Sequence, residues 1–232
     1  MVDADPSADH AHANQVAVGA QSVYDAVAEA YNQQFGDELD GKPLDRAVLN
    51  ALVELVGTGV IADVGCGPGH VTRYLAHHHG DVVGIDLSPG MIAVARARAP
   101  ELLLTVGSML SLPAADQALA GAVALYSIIH LTADERATAF SEFARAIAPG
   151  GWLLVAFHVD SPEFAAGEII HLTEWFGRRI ELDGYFLSPN EVADELAEPG
   201  FTIMAKIERQ PISAAEYPSR RCYILAQRND SP

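Results

Sequence analysis

Short apolar runs alternate with longer amphipathic stretches along most of this 232-residue chain. Val16, Val23, Val27, Ala30 and Tyr31 are spaced for one face of a helix over Val16 to Gln34. A polar break from Gly36 to Gly41 precedes a second helix, Leu44 to Val56. The pattern then becomes strand, helix, strand: 60–64, Gly69 to His78, and 82–86. Ser88-Pro89 opens the next helix with a cap and a proline at its first turn, and Pro100 ends it. Leu102 to Val106 reads as a short buried strand and Ala122 to Tyr126 as a fourth strand. Thr132-x-x-Glu135 is a capping box that starts a helix to Ala148, and Trp152 to Phe157 is a fifth strand. Ser188 starts a further helix to Ala197. Phe201 to Ile207 and Cys222 to Ala226, joined by a loop with Pro211 and Pro218, read as a closing antiparallel pair. Such alternation predicts an α/β fold, a mostly parallel sheet with helices on both faces.

The pattern also predicts an organisation: a disordered tail over 1–15, an N-terminal helical cap over 16–58 and a core over 59–158. An insertion over 159–188 follows, and 189–232 complete the same domain. The insertion is too long for a simple connection and is rich in aromatic residues.

Composition narrows the function. No run approaches the 18 apolar residues of a membrane span, and the start lacks the basic and apolar segments of a signal peptide, so a cytoplasmic protein is expected. Net charge is −17, with only Arg178-Arg179 and Arg220-Arg221 as basic groups, which argues against nucleic acid as a partner. Two cysteines, Cys66 and Cys222, argue against a disulfide framework or a zinc cluster. His77-His78-His79 cannot all face one site on a helix, so no metal is expected. Oligomeric state is not readable.

The chemistry concentrates at two strand ends. Asp63-Val64-Gly65-Cys66-Gly67-Pro68-Gly69 ends the first strand with glycines at alternate positions, a turn in which a Cβ would keep backbone from a ligand. About 20 residues on, Asp86 ends the second strand, where a carboxylate accepts both hydroxyls of a ribose. A dinucleotide fingerprint would need glycine at position 70, where His70 stands. The D-x-G-x-G-x-G segment and Gly84-Ile85-Asp86-Leu87-Ser88-Pro89-Gly90-Met91 together resemble the first two motifs of the class I S-adenosyl-L-methionine-dependent methyltransferases. Within that family the likeness is to the ubiquinone/menaquinone-biosynthesis-like small-molecule group.

The resemblance implies a Rossmann-like fold: a seven-stranded, mostly parallel sheet with an antiparallel last strand and an N-terminal helical cap. It implies that the backbone of Gly65, Cys66 and Gly67 lies under the cofactor's amino-acid portion, that Gly69 completes the cofactor-binding turn, and that Asp63 orders the turn or reaches the ammonium through water. Asp86 takes the ribose, Leu87 and Met91 flank the adenine, and Ser108-Met109 form the third motif. Relatives often carry an acid where Ser108 stands; Ser108 is either a weaker adenine contact or a turn residue. Tyr24 and Tyr31 either close over the cofactor or form a packing stripe. Tyr126 lies at the strand end beneath the cofactor.

For catalysis, His130 is the first candidate base, since histidine titrates near pH ~6.5; the other reading is that it fixes its loop. His158 carries the same two readings. His171, Trp175 and Tyr185 of the insertion are candidates for substrate contact. The expected reaction is methyl transfer to a small molecule, to oxygen more readily than to nitrogen or carbon. The alternatives are an NAD(P)-dependent oxidoreductase, which the absence of a Tyr-x-x-x-Lys pair disfavours, and a relative that binds the cofactor without methylating.

Overall fold

The computed structural model describes the backbone of residues 6–213 and 216–230. Helix α1 (Pro6–Phe35) and a 3-10 turn (Glu38–Gly41) lead into α2 (Pro43–Val56). Then follow β1 (Ile61–Val64), α3 (His70–His78), β2 (Val82–Asp86), α4 (Pro89–Arg98) and β3 (Leu103–Val106). Next come β4 (Leu119–Leu125), a 3-10 turn (Ile128–His130), α5 (Ala133–Ala146) and β5 (Ile147–Asp160). A hairpin, β6 (Ile169–Trp175) and β7 (Arg178–Tyr185), precedes α6 (Pro189–Ala197), β8 (Phe201–Arg209) and β9 (Arg220–Arg228).

Seven strands form one sheet in the order β3-β2-β1-β4-β5-β9-β8. β9 pairs antiparallel with both neighbours, and the remaining pairings are parallel. This is the expected Rossmann-like arrangement. Alternation along the strands divides two cores. Ala62, Ala122, Leu153 and Val155 face Phe140 and Phe143 of α5 and Val192 and Leu196 of α6. Ile61, Val123, Leu154 and Ala156 face Leu49 and Leu52 of α2 and Val71 and Leu75 of α3. Residues buried on both sides explain why these strands read as continuous apolar runs.

Two local results differ from expectation. The stretch assigned to a tail is helical from Pro6, because α1 is longer than its amphipathic stripe; residues 1–5 lie outside the described ones. The insertion is built around a two-stranded antiparallel hairpin. Its turn places Phe176 and Gly177 at φ of 49° and 70°, a pair of left-handed residues that suits the twist of a two-residue hairpin loop. Among the described residues no helix is long and apolar enough to cross a membrane.

Helix α1 is tied across the strand ends by one side chain. Asp25 Oδ1 accepts from the Ser88 hydroxyl at 2.5 Å and from the Gly90 N–H at 2.8 Å, at the N-terminus of α4. Below it, Ala28 packs with Met91 and Val94. Asp25→Ala removes both acceptor contacts at a helix N-terminus and is expected to lower stability by about 1 kcal/mol. Urea unfolding measures the loss, and hydrogen exchange should place it in α1 and α4 rather than in β4 and β5.

Candidate functional site

The carboxyl ends of β1, β2 and β4 open into a cavity roofed by α1, of about 1200 Å³ including its mouth. Its floor is the glycine turn. Gly65 N–H and Cys66 N–H both donate to Ile85 O, at 2.8 and 3.1 Å, and Gly67 N–H donates to Asp86 Oδ2 at 2.7 Å. The turn thus leaves β1 and fastens to β2. Gly65 and Gly67 have φ of 76° and 52°, left-handed values that favour glycine. A Cβ on Gly65 would strike the Ser127 side chain, whereas one on Gly67 would meet no protein atom within 4 Å. Gly67 lines the cavity, so its bare backbone is the surface offered to a ligand.

Asp86 stands beside it. Oδ1 accepts from Ser88 N–H at 2.8 Å, and each carboxyl oxygen retains acceptor capacity. Burial pushes this carboxyl above the usual range, against the pull of the two N–H donors. Leu87, Met91, Ser108 and Met109 line the same end of the cavity. Ser108 Oγ accepts from Leu110 N–H at 3.1 Å, a turn contact that leaves its own proton free to donate.

Asp63 is 2 % exposed, accepts from the Thr72 hydroxyl at 2.6 Å, and is pushed up to about 6 by burial. Nearby lie groups that the sequence did not single out. His70 Nε2 is 3.3 Å from Glu38 Oε1, and Lys42 Nζ donates to Glu38 Oε2 at 2.7 Å. Burial alone would raise the Glu38 carboxyl, but His70 and Lys42 prevail and hold it at about 2. Among the described residues His70 Nδ1 is buried without a partner, and His70 lines the cavity. Bare backbone, an acceptor pair for a diol and an unpartnered imidazole nitrogen fit a nucleoside joined to an amino acid.

Beyond β4, Tyr126 holds φ at 55°, a strained value for a residue with a Cβ, costing on the order of 1–3 kcal/mol. Its N–H to Ala156 O at 2.7 Å and its hydroxyl at 3.0 Å from that of Tyr223 hold it in place. Tyr223 in turn donates to buried Asp45, which also lines the cavity.

His130 is engaged at both ring nitrogens. Nδ1 is 2.7 Å from Asp183 O on β7, and Nε2 is 2.7 Å from the Tyr24 hydroxyl. A carbonyl oxygen can only accept, so Nδ1 carries the proton, and Tyr24 donates to the Nε2 lone pair. Burial lowers the His130 pKa, and the Asp183 carbonyl partly opposes it. Tyr24 and Tyr31 line the cavity, and Trp175 packs edge-on behind both, at 5.7 and 5.6 Å between ring centres.

The other candidates lie elsewhere. His158 is not among the cavity-lining residues. Its Nδ1 is 2.6 Å from Ser219 Oγ, its ring packs on Tyr126, and burial, with Arg221 adding, pushes it down to about 3. His171 is 69 % exposed and bonded to the Asp183 carboxyl, because the pleat of the hairpin turns it outward. Tyr185 and Trp175 also stand outside the cavity lining. The hairpin reaches the reacting end through the Asp183 carbonyl, which no side-chain pattern signals.

Comparison with known proteins agrees with this geometry. Residues 61–151 match the family model described as a methyltransferase domain. The chain is 35 % identical over 127 residues to trans-aconitate 2-methyltransferase of Methylobacterium nodulans, covering 53 % of this chain and 46 % of that protein. It is 28 % identical over 137 residues to an uncharacterized methyltransferase of Anoxybacillus flavithermus, covering 59 % and 62 %. The chain thus spans about half to three-fifths of the length of these relatives. In fold it matches the DhpI–SAH complex with a TM-score of 0.69 at 19 % identity, over 93 % of this chain and 98 % of that one. The glycine turn and the acid closing β2 both fall inside the matched segment, so residues 61–151 are similar to a methyltransferase domain, on a fold shared with the DhpI–SAH complex.

Proposed function

We propose that this protein transfers a methyl group from S-adenosylmethionine to a hydroxyl of a small molecule held between α1 and the end of β4. The observation that carries this reading is the Tyr24–His130–Asp183 chain of hydrogen bonds opening onto the same cavity as Gly67 and Asp86. An enclosed cavity and an acidic surface both suit a small organic acceptor better than a polyanion. The trans-aconitate enzyme among the relatives is named for a small molecule as well.

Gly67, Asp86, Met91 and Asp63 would hold the cofactor, with Glu38 and His70 at its amino-acid end. When bound, S-adenosylmethionine supplies an electrophilic methyl group on a sulfonium. The chain's own work is to position the acceptor, keep water out and remove a proton. Tyr24 occupies the only lone pair of His130, so the proton moves in two linked hops. The acceptor hydroxyl gives its proton to the Tyr24 oxygen as Tyr24 gives its own to Nε2. The resulting imidazolium is supported by the Asp183 carbonyl at Nδ1. Burial makes His130 a weak base, which suits it to a proton released only as the acceptor is methylated.

Asp86→Ala is expected to weaken S-adenosylhomocysteine binding about tenfold or more, as two hydroxyl contacts to a carboxylate are lost. Isothermal titration calorimetry measures this, and unchanged affinity would remove Asp86 from the ribose.

The pH dependence has a defined sign. The neutral imidazole is the active form, and burial shifts its pKa below the ordinary ~6.5. Turnover should therefore rise with pH through that lowered value and be flat across neutrality. His130→Ala should remove this acidic limb and cut the rate by about a hundredfold or more. Rates of S-adenosylhomocysteine release from pH 4.5 to 8, with the best substrate from a panel of phenols and hydroxy acids, provide the check. An activity midpoint above 6.5 would sink the assignment.

A further inference from the structure

The carboxyl of Glu135 performs a structural task with only one of its two oxygens. Oε2 accepts from the Thr132 N–H at 2.9 Å and from the Thr132 hydroxyl at 3.0 Å, closing the capping box of α5. Among the described residues Oε1 is buried without a hydrogen-bond partner. The residue is 4 % exposed and lines the cavity. Leu131 and Leu110, which line the same cavity, are apolar. The adjacent cation does not serve it. Arg136 is committed to both carboxyl oxygens of Glu195, at 2.8 and 2.6 Å, and to Leu131 O.

Capping does not require this second oxygen. Glutamine closes the same box equally well, and a buried acceptor without a donor bears its full desolvation cost. Glu135 lines the same cavity as Leu131 and as His130, whose ring the Asp183 carbonyl anchors. This is the acceptor's end of the cavity, beyond β4. The adenine end is formed by Leu87, Met91 and Ser108 beyond β2 and β3.

We propose that Glu135 Oε1 accepts a hydrogen bond from the methyl acceptor, which therefore carries an ammonium or a second hydroxyl near the group that is methylated. This rests on reading the cavity as a methyl-transfer site. It adds a recognition element that selects donor-bearing molecules and rejects those with a carboxylate at that point, where two acceptors would face each other.

Glu135→Gln is the informative variant. Its amide oxygen keeps the cap on Thr132, while its amide NH2 turns the cavity-facing group from acceptor to donor. The probes are 2-(4-hydroxyphenyl)ethylamine, 2-(4-hydroxyphenyl)ethanol and (4-hydroxyphenyl)acetate, which share one phenol and differ only in the terminal group. Calorimetry on protein saturated with S-adenosylhomocysteine, with methyl transfer from S-adenosylmethionine in parallel, reads the result. In wild type the amine or the alcohol should bind about tenfold or more tighter than the acid, and their order assigns ammonium or hydroxyl. In Glu135→Gln that preference should vanish or reverse, with S-adenosylhomocysteine affinity within about threefold of wild type. The proposal is overturned if wild type does not discriminate among the three, absence of binding included, or if the variant keeps the wild-type order. Weakened S-adenosylhomocysteine binding in the variant would give the oxygen to the cofactor and overturn it too. Failure of wild type to bind S-adenosylhomocysteine at all would instead bring down the methyl-transfer reading itself.

Discussion

The bond from Gly67 N–H to Asp86 Oδ2 is the joint on which the site depends. Parallel pairing of β1 with β2, Asp63 opposite Gly84 and Val64 opposite Ile85, brings both strand ends to one level. The chain leaving β1 then gives three successive N–H groups to β2, two to Ile85 O and the third to the Asp86 carboxyl. Left-handed φ values at Gly65 and Gly67 allow this path. One carboxyl therefore shapes the floor and remains available as an acceptor. A different side chain at 86 would alter the turn and the ligand contact together.

Charge explains why the cavity suits a cation. Asp63 and Asp86 are buried beside it, and burial raises both carboxyls, with Asp86 adding to the shift at Asp63. His70 partly offsets the charge at Asp63, while Lys42 is paired with Glu38. For a carboxyl near 6, such as Asp63, the folded chain holds a proton more tightly than the unfolded chain. The stability that comes with that proton is present below the ordinary range and is lost as pH rises through about 6. A sulfonium and an ammonium in the cavity would oppose that loss by favouring the ionised forms.

Much of this was legible before any coordinates. Apolar runs mark the central strands because both their faces are covered, so periodicity and burial agree at Ile61 to Val64 and at Leu153 to Phe157, whereas the edge strand β3 leaves Leu103 exposed. Gly65, Gly67 and Asp86 announced themselves by residue type, since few other residues tolerate that backbone or offer that acceptor pair. Other features were silent for stated reasons. The hairpin turn is Phe176-Gly177 rather than an asparagine or aspartate before glycine, so no turn signal marked it. Glu38 lay in a segment read only as a polar break. His70 stands out in the sequence for the glycine it replaces, and not for the cavity it enters. His158 and His171 were reasonable by type, but the first is packed against Tyr126 and the second faces solvent.

The most consequential unseen contact is a backbone one. The Asp183 carbonyl fixes the proton on His130 Nδ1 and so decides which nitrogen is basic. That carbonyl belongs to a hairpin whose Ile180 and Leu182 pack on Val23 of α1, the helix that carries Tyr24. Roof, phenol and imidazole are thus one mechanical unit, set above a floor that belongs to the sheet. An insertion can then vary in length and side chains while still delivering a carbonyl at one point. The floor tolerates no such freedom, because its acceptors and bare backbone must meet a fixed cofactor. This division explains why the sequence is explicit about the cofactor and reticent about the acceptor: one set of contacts needs particular residue types, and the other needs only main chain in the right place.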